Sequence, residues 1–145
     1  TQAISEAFLG DDIQKAFLHG HSFTGNPVGC AAALASLDLL EKKECQEAIK
    51  NITSSHKTFA KKLEALEIIN EIRQTGTILA LELKADSSGY ASSIRQKLYT
   101  DFLTQGVLLR PLGNVIYILP PYCIQEKELK KVYKVIQDKL TELSQ

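Results

Sequence analysis

The chain has 145 residues, 44% of them apolar, and seventeen basic and seventeen acidic residues leave no net charge. That length and apolar content allow one domain with a real core, and the charge balance excludes the one-sided basic surface that holds nucleic acid or an anionic membrane. No apolar stretch is long enough to span a bilayer, and the start does not read as a signal peptide. Cys30, Cys45 and Cys123 are odd in number and lack metal-like spacing, which fits reduced thiols in a cytoplasmic protein. The absence of methionine and the start at Thr1 read as a fragment or a processed chain.

Thr1 to Leu18 is an amphipathic lead-in, with Ile4, Ala7, Phe8, Ile13, Phe17 and Leu18 apolar and Gly10-Asp11-Asp12 as the break. His19-Gly20-His21-Ser22-Phe23-Thr24-Gly25-Asn26-Pro27 follows, a polar, glycine-rich loop that turns into a helix. Asn26 suits the N-cap, since its side-chain oxygen can accept an orphan amide of the first turn. Pro27 suits the first helical position, where no amide hydrogen is needed. The helix is predicted from Pro27 to about Lys43, and its alanines suit burial against a neighbouring backbone. A second helix, about Gln46 to Leu66, carries Ile49, Ile52, His56, Phe59, Leu63 and Leu66 on one stripe. Within that stripe His56 reads as a hydrogen-bonded core residue.

Ile68 to Arg73 and Thr77 to Leu83 read as strands around Thr75-Gly76, with Leu79, Leu81 and Leu83 in the period-two pattern of a half-buried sheet. Asp86-Ser87-Ser88-Gly89 is a predicted loop. Ala91 to Gln105 is a predicted helix by its Ile94, Leu98, Phe102 spacing, with Gly106 as its stop. Val107 to Arg110 and Val115 to Leu119 are predicted strands around Pro111-Leu112-Gly113-Asn114, and Pro120-Pro121 ends the sheet. The last helix, about Gln125 to Leu143, places Leu129, Val132, Ile136, Leu140 and Leu143 on one face. This order describes an α+β fold, a layer of helices packed on a small, mainly antiparallel sheet.

Two stretches carry chemistry. The loop before Pro27 offers hydroxyls and backbone donors beside a helix start, where anions bind, although the same residues also make an ordinary capped helix. In the second stretch, a two-residue turn at Gly113-Asn114 would set Leu112 opposite Val115 and Arg110 opposite Tyr117. A guanidinium there can hold a carboxylate by two parallel hydrogen bonds. An arginine covering a tyrosine ring, or a structural ion pair, would give the same pattern, and Pro111 removes one ladder hydrogen bond. His19 and His21 could share one face of a strand, but no third ligand lies nearby, so no metal site is predicted. Ser22 has no orienting acid that would make it part of a triad. There is no GxGxxG and no Walker motif. Lys42-Lys43, Lys61-Lys62 and Lys130-Lys131 fall on polar helix faces.

Phe17 to Pro27 with the alanine-rich helix behind it resembles the class III (omega) aminotransferases, fold-type I enzymes that use pyridoxal phosphate. That family's usual pattern is His-Gly, a variable residue, Ser or Thr, an aromatic residue, then Gly-Asn-Pro. Arg110-Pro111-Leu112-Gly113-Asn114-Val115-Ile116-Tyr117-Ile118-Leu119-Pro120-Pro121-Tyr122 is similar to the branch that makes 7,8-diaminopelargonic acid for biotin, with S-adenosylmethionine as the usual amino donor. The likeness covers essentially the whole chain as the C-terminal third of such an enzyme.

The resemblance implies that residues 1–26 are a remnant of the large pyridoxal phosphate-binding domain with its phosphate loop, and that residues 27–145 are the C-terminal small domain. Ser22 matches the hydroxyl that contacts the cofactor phosphate of the partner subunit in a homodimer. His21 is the second cofactor-binding candidate, at a position where relatives often have Pro or Ser. Arg110 matches the arginine that takes the substrate carboxylate, and Tyr117 a tyrosine lining the substrate site. The family's Schiff-base lysine, and the aspartate that pairs with the pyridine nitrogen, fall upstream of Thr1, so no catalytic residue is assigned here and the chain alone is expected to be inactive. The parent is expected to be a cytoplasmic enzyme moving an amino group from S-adenosylmethionine to 8-amino-7-oxononanoate. Its partners would be small molecules and a second copy, with neither nucleic acid nor membrane. Two alternatives stay open: an omega-aminotransferase acting on ornithine, 4-aminobutyrate or a diamine, and a non-catalytic α+β interaction module.

Overall fold

A computed structural model describes residues 1–84 and 93–144. Over them the chain forms two compact units, Thr1–Leu39 and Leu40–Gln145. The loop predicted at residues 86–89 and the first residues of the helix predicted from Ala91 lie outside the described residues.

The first unit holds α1 (Gln2–Glu6), a 3-10 turn at Ile13–Lys15 and most of α2 (Pro27–Leu40). Asp12 starts the 3-10 turn by accepting the Gln14 amide at 2.9 Å. Helix α2 begins as its cap predicts, but none of its residues is buried. The alanine-rich run therefore departs from the expectation of a buried helix. Small apolar residues permit close packing without supplying a neighbour, and no side chain of the first unit buries this helix.

The second unit contains α3 (Lys43–Leu63), β1 (Ile69–Thr75), β2 (Ile78–Leu83), α4 (Ser93–Thr104), β3 (Val115–Ile118) and α5 (Glu126–Leu143). The strands form one antiparallel sheet in the order β1-β2-β3, so the fold is α+β. Alternation along β2 sends Leu79, Leu81 and Leu83 into a core shared with Ile116 and Ile118 of β3. Phe59 and Leu63 of α3, Leu98 and Phe102 of α4, and Ile136 and Leu140 of α5 complete that cluster. Each such buried side chain contributes about 1.5–3 kcal/mol relative to exposure, which makes this layer the main source of stability. Ile69 and Ile72 of β1 pack against the same cluster, and charged side chains occupy part of the other face. Glu82 sits opposite Glu71 in the ladder, and Arg73 lies between the two carboxylates, 2.8 Å from Glu82.

Local signals account for most boundaries. Gly76, with φ of +54°, supplies the left-handed turn between β1 and β2. Gln125 and Glu128 form a capping box at the start of α5, the Gln125 amide donating to Glu128 at 2.8 Å. Helix α3 starts at Lys43 rather than Gln46, because α2 stops at Leu40 and the Gln46 side chain caps that end by donating to the Leu40 carbonyl at 2.7 Å. It also ends at Leu63 rather than Leu66.

The strand expected at Val107 to Arg110 does not form. Leu112 and Val115 exchange two backbone hydrogen bonds of 2.9 Å, and the pairing goes no further back. The ring of Pro111 fixes its φ at about −65°, away from the extended value of a strand, and the ladder stops beside it.

Candidate functional site

The loop into α2 is closed by its own short hydrogen bonds. The His21 amide donates to Thr24 Oγ1 and the Thr24 amide to the His21 carbonyl, both at 2.9 Å. The Asn26 side chain accepts the Val28 amide at 2.9 Å and the Gly29 amide at 3.3 Å, so it is the N-cap its residue type suggests. Gly25 takes φ of +70°, which turns the chain into the cap.

Ser22 sits inside this turn. Its hydroxyl and amide, like the Phe23 amide, make no hydrogen bond to another described residue. The rings on either side are engaged with each other: His21 stacks on Phe23 with centroids 5.1 Å apart, and His19 meets His21 edge-on at 5.3 Å. His19 and His21 thus lie in a bend and not on a strand, and the described residues contain no cluster of three metal-ligating side chains. With no acid from His19 to Pro27, the turn offers donors and no carboxylate to repel an anion.

Arg110 and Tyr117 belong to the second unit, and they meet by a route the sequence does not suggest. In the ladder Tyr117 is paired with Ala80 of β2, not with Arg110. The predicted facing of Arg110 and Tyr117 is corrected accordingly. Even so, the two residues line one cavity of about 380 Å³, together with Arg95, Gln96 and Tyr99 of α4 and with Pro111 and Leu112. Arg110 is exposed while the adjoining Pro111 is fully buried, so the segment is anchored by the proline and presents the guanidinium. The cavity combines two guanidinium groups, phenol hydroxyls and apolar walls, a set that can hold a carboxylate at one end of a flexible chain.

Three contributors are missed by the sequence reading. Arg95 and Tyr99 are one turn apart on α4, on a different stripe from Ile94, Leu98 and Phe102, and that i, i+4 spacing is the signal that could find them. Arg95 Nε donates to the Pro111 carbonyl at 3.1 Å. Asn114, read as a turn residue, is buried and clamps the end of β2: its side chain donates to the Leu83 carbonyl at 2.6 Å, and its carbonyl accepts the Leu83 amide at 3.0 Å.

His56 is the buried, satisfied histidine its position suggests. Its Nδ1 is 2.6 Å from the Tyr133 hydroxyl and its Nε2 3.0 Å from the Thr77 carbonyl. A carbonyl can only accept, so Nε2 carries the proton and Nδ1 accepts from the phenol. Burial lowers the His56 pKa, against an opposing pull from the Thr77 carbonyl, and burial raises that of Tyr133.

Comparison with known proteins supplies a context for these groups. A family profile described as Aminotransferase class-III matches residues 1–140. The adenosylmethionine-8-amino-7-oxononanoate aminotransferase of Synechococcus elongatus is 39% identical over 143 residues, covering 99% of this chain and 33% of that protein. The enzyme of the same name from Geobacter sulfurreducens is 42% identical over 135 residues, covering 89% and 30%. The crystal structure of the Methanocaldococcus jannaschii adenosylmethionine-8-amino-7-oxononanoate aminotransferase superposes with a TM-score of 0.71 at 34% identity, covering 95% of this chain and 34% of that one. The chain spans about a third of the length of the relatives it matches.

Proposed function

The chain belongs to the class-III aminotransferases, and from that premise we propose that it is the C-terminal third of an enzyme of biotin synthesis. That enzyme transfers an amino group from S-adenosylmethionine to 8-amino-7-oxononanoate, giving 7,8-diaminopelargonic acid. Residues 1–26 are the remnant of the large domain with the phosphate loop, and residues 27–145 the small domain. The enzyme works in the cytoplasm as a homodimer. Supporting this reading most directly is the cavity shared by Arg110 and Tyr117, in a chain 39% and 42% identical to two aminotransferases of that name.

The family is pyridoxal phosphate-dependent, and the loop before α2 fits the phosphate of that cofactor, with a free hydroxyl, free amides and no acid. When bound, the cofactor supplies the electron sink for moving an amino group between two substrates. Ser22 would hold the cofactor phosphate of the partner subunit through its hydroxyl, and His21, stacked on Phe23, would wall the loop beside it. Arg110 binds the acceptor's carboxylate and Tyr117 flanks its chain, so the far end of the substrate is fixed and its ketone is oriented. The lysine that would hold the cofactor belongs to the part of the enzyme these residues do not span.

Arg110→Ala in the full-length enzyme tests the reading. KM for 8-amino-7-oxononanoate should rise roughly 30-fold or more, about 2 kcal/mol, the scale of a charge-assisted hydrogen-bond pair. Cofactor retention and the reaction with the amino donor should change little. An equal loss with the methyl ester, which has no carboxylate, would reject the assignment.

A further inference from the structure

We propose that Arg95 is a positioning residue that holds the Arg110 segment in place from α4. The inference rests on the reading of Arg110 as the group that takes the acceptor's carboxylate, and deepens it.

The segment leading to Arg110 lacks the support a strand would have. The Val107 amide returns to the Phe102 carbonyl at 2.9 Å, and Leu112 pairs with Val115, but Pro111 keeps the ladder from reaching further back. Between those two ties, the backbone of residues 108–111 makes one hydrogen bond to the rest of the fold among the described residues. Its donor is Arg95 Nε and its acceptor the Pro111 carbonyl. That carbonyl is one residue from Arg110, so the bond acts where the guanidinium leaves the chain.

Arg95 is well placed for this role. Helix α4 is anchored by Leu98 and Phe102, both fully buried, and a group on a rigid element transmits its position to what it bonds. Arg95 itself is half-buried and lines the same cavity as Arg110 and Tyr117. The requirement is strict because a two-bond grip on a carboxylate tolerates little displacement of its base. The competing account is that burial of Pro111 and packing of Leu109 hold the segment without help from Arg95.

The test uses the full-length enzyme with Arg95→Ala, Arg110→Ala and the double variant. Should Arg95→Ala fail to fold, Arg95→Met keeps the apolar stem and removes the donor. Exchange of the Leu112 amide should quicken about tenfold, the loss expected for one charge-assisted hydrogen bond, with the β2 amides unchanged. KM for 8-amino-7-oxononanoate should rise about tenfold, with kcat and the reaction of its methyl ester within twofold. In the Arg110→Ala background the Arg95 change should add less than twofold. Unchanged exchange at Leu112 overturns the proposal and assigns the segment's position to Pro111 and Leu109. A tenfold loss that persists without Arg110, or that extends equally to the ester, overturns it in favour of general destabilisation. If Arg110→Ala alone fails to separate acid from ester, the Arg110 assignment falls, and the catalytic part of this inference with it, whatever the exchange rates show.

Discussion

At His56, one neighbour in the β1–β2 turn and one on α5 choose the tautomer. The Thr77 carbonyl takes the Nε2 proton, the Tyr133 hydroxyl donates to the Nδ1 lone pair, and burial disfavours the charged ring. Burial holds the folded pKa below its ordinary value of 6.5, whereas the unfolded chain titrates near that value. Below pH 6.5 the unfolded state therefore binds more protons than the folded one, and stability falls as pH drops through that window. The slope is at most about 1.4 kcal/mol per pH unit for one such group. Urea denaturation at pH 7.5, 6.5 and 5.5 should show this loss, and His56→Gln should flatten it. A parallel decline in the variant would assign the slope to carboxylates instead. Tyr133→Phe should cost about 1–3 kcal/mol at neutral pH, because it strands a buried acceptor.

Among the elements, the loop and helix at residues 19–40 show how local chemistry prepares a site that the element alone does not complete. Asn26 and Thr24 use their side chains to close the turn, which leaves the Ser22 hydroxyl and two amides for an external acceptor. In the full-length enzyme, Ser22→Ala should weaken retention of pyridoxal phosphate by about 1.5–3 kcal/mol, the range for a hydrogen bond to a charged group. Dialysis against buffer, followed by absorbance of the bound cofactor, reads the effect. Retention equal to that of the parent enzyme would remove Ser22 from the phosphate site. The segment before β3 shows the opposite case, where a proline in the wrong place for a ladder turns an expected strand into a loop and hands its anchoring to side chains from another element.

For the molecule as a whole, the expected outcome is that the 145-residue chain neither traps pyridoxal phosphate covalently nor transaminates. A lysine must lose its proton to attack an aldehyde, and burial without a counter-ion is the usual way to promote that. Lys139 is the one buried lysine among the described residues, and it is ion-paired with Asp101 at 2.5 Å and Glu142 at 2.8 Å. Burial alone would lower its pKa, but bonding to the two carboxylates outweighs this and raises it. Every other lysine is exposed. Borohydride reduction after mixing the purified chain with the cofactor, read by intact mass, should find no stoichiometric adduct. A single adduct on one lysine, with turnover, would show that the reactive amine is here.

Much of this molecule is legible in the residues themselves. The leucines of β2, the stripe of α3, the Asn26-Pro27 cap and the capping box at Gln125 are patterns whose partners lie within a few residues, so spacing alone dictates the outcome. The two motifs that resemble the family are also local, which is why Ser22, His21, Arg110 and Tyr117 can be named before any fold is known. The cavity is another matter. Tyr117 pairs with Ala80, Arg110 reaches the same space from a loop, and Arg95 and Tyr99 enter it from a helix. His56 likewise becomes a joint only when Thr77 and Tyr133, 21 and 77 residues away, close on it. Sequence alone determined which local elements could form and which chemistry they could carry. Tertiary structure decided which side chains share a space, because packing of distant elements has no local period, and the fixed backbone angle of one proline is enough to redirect the path.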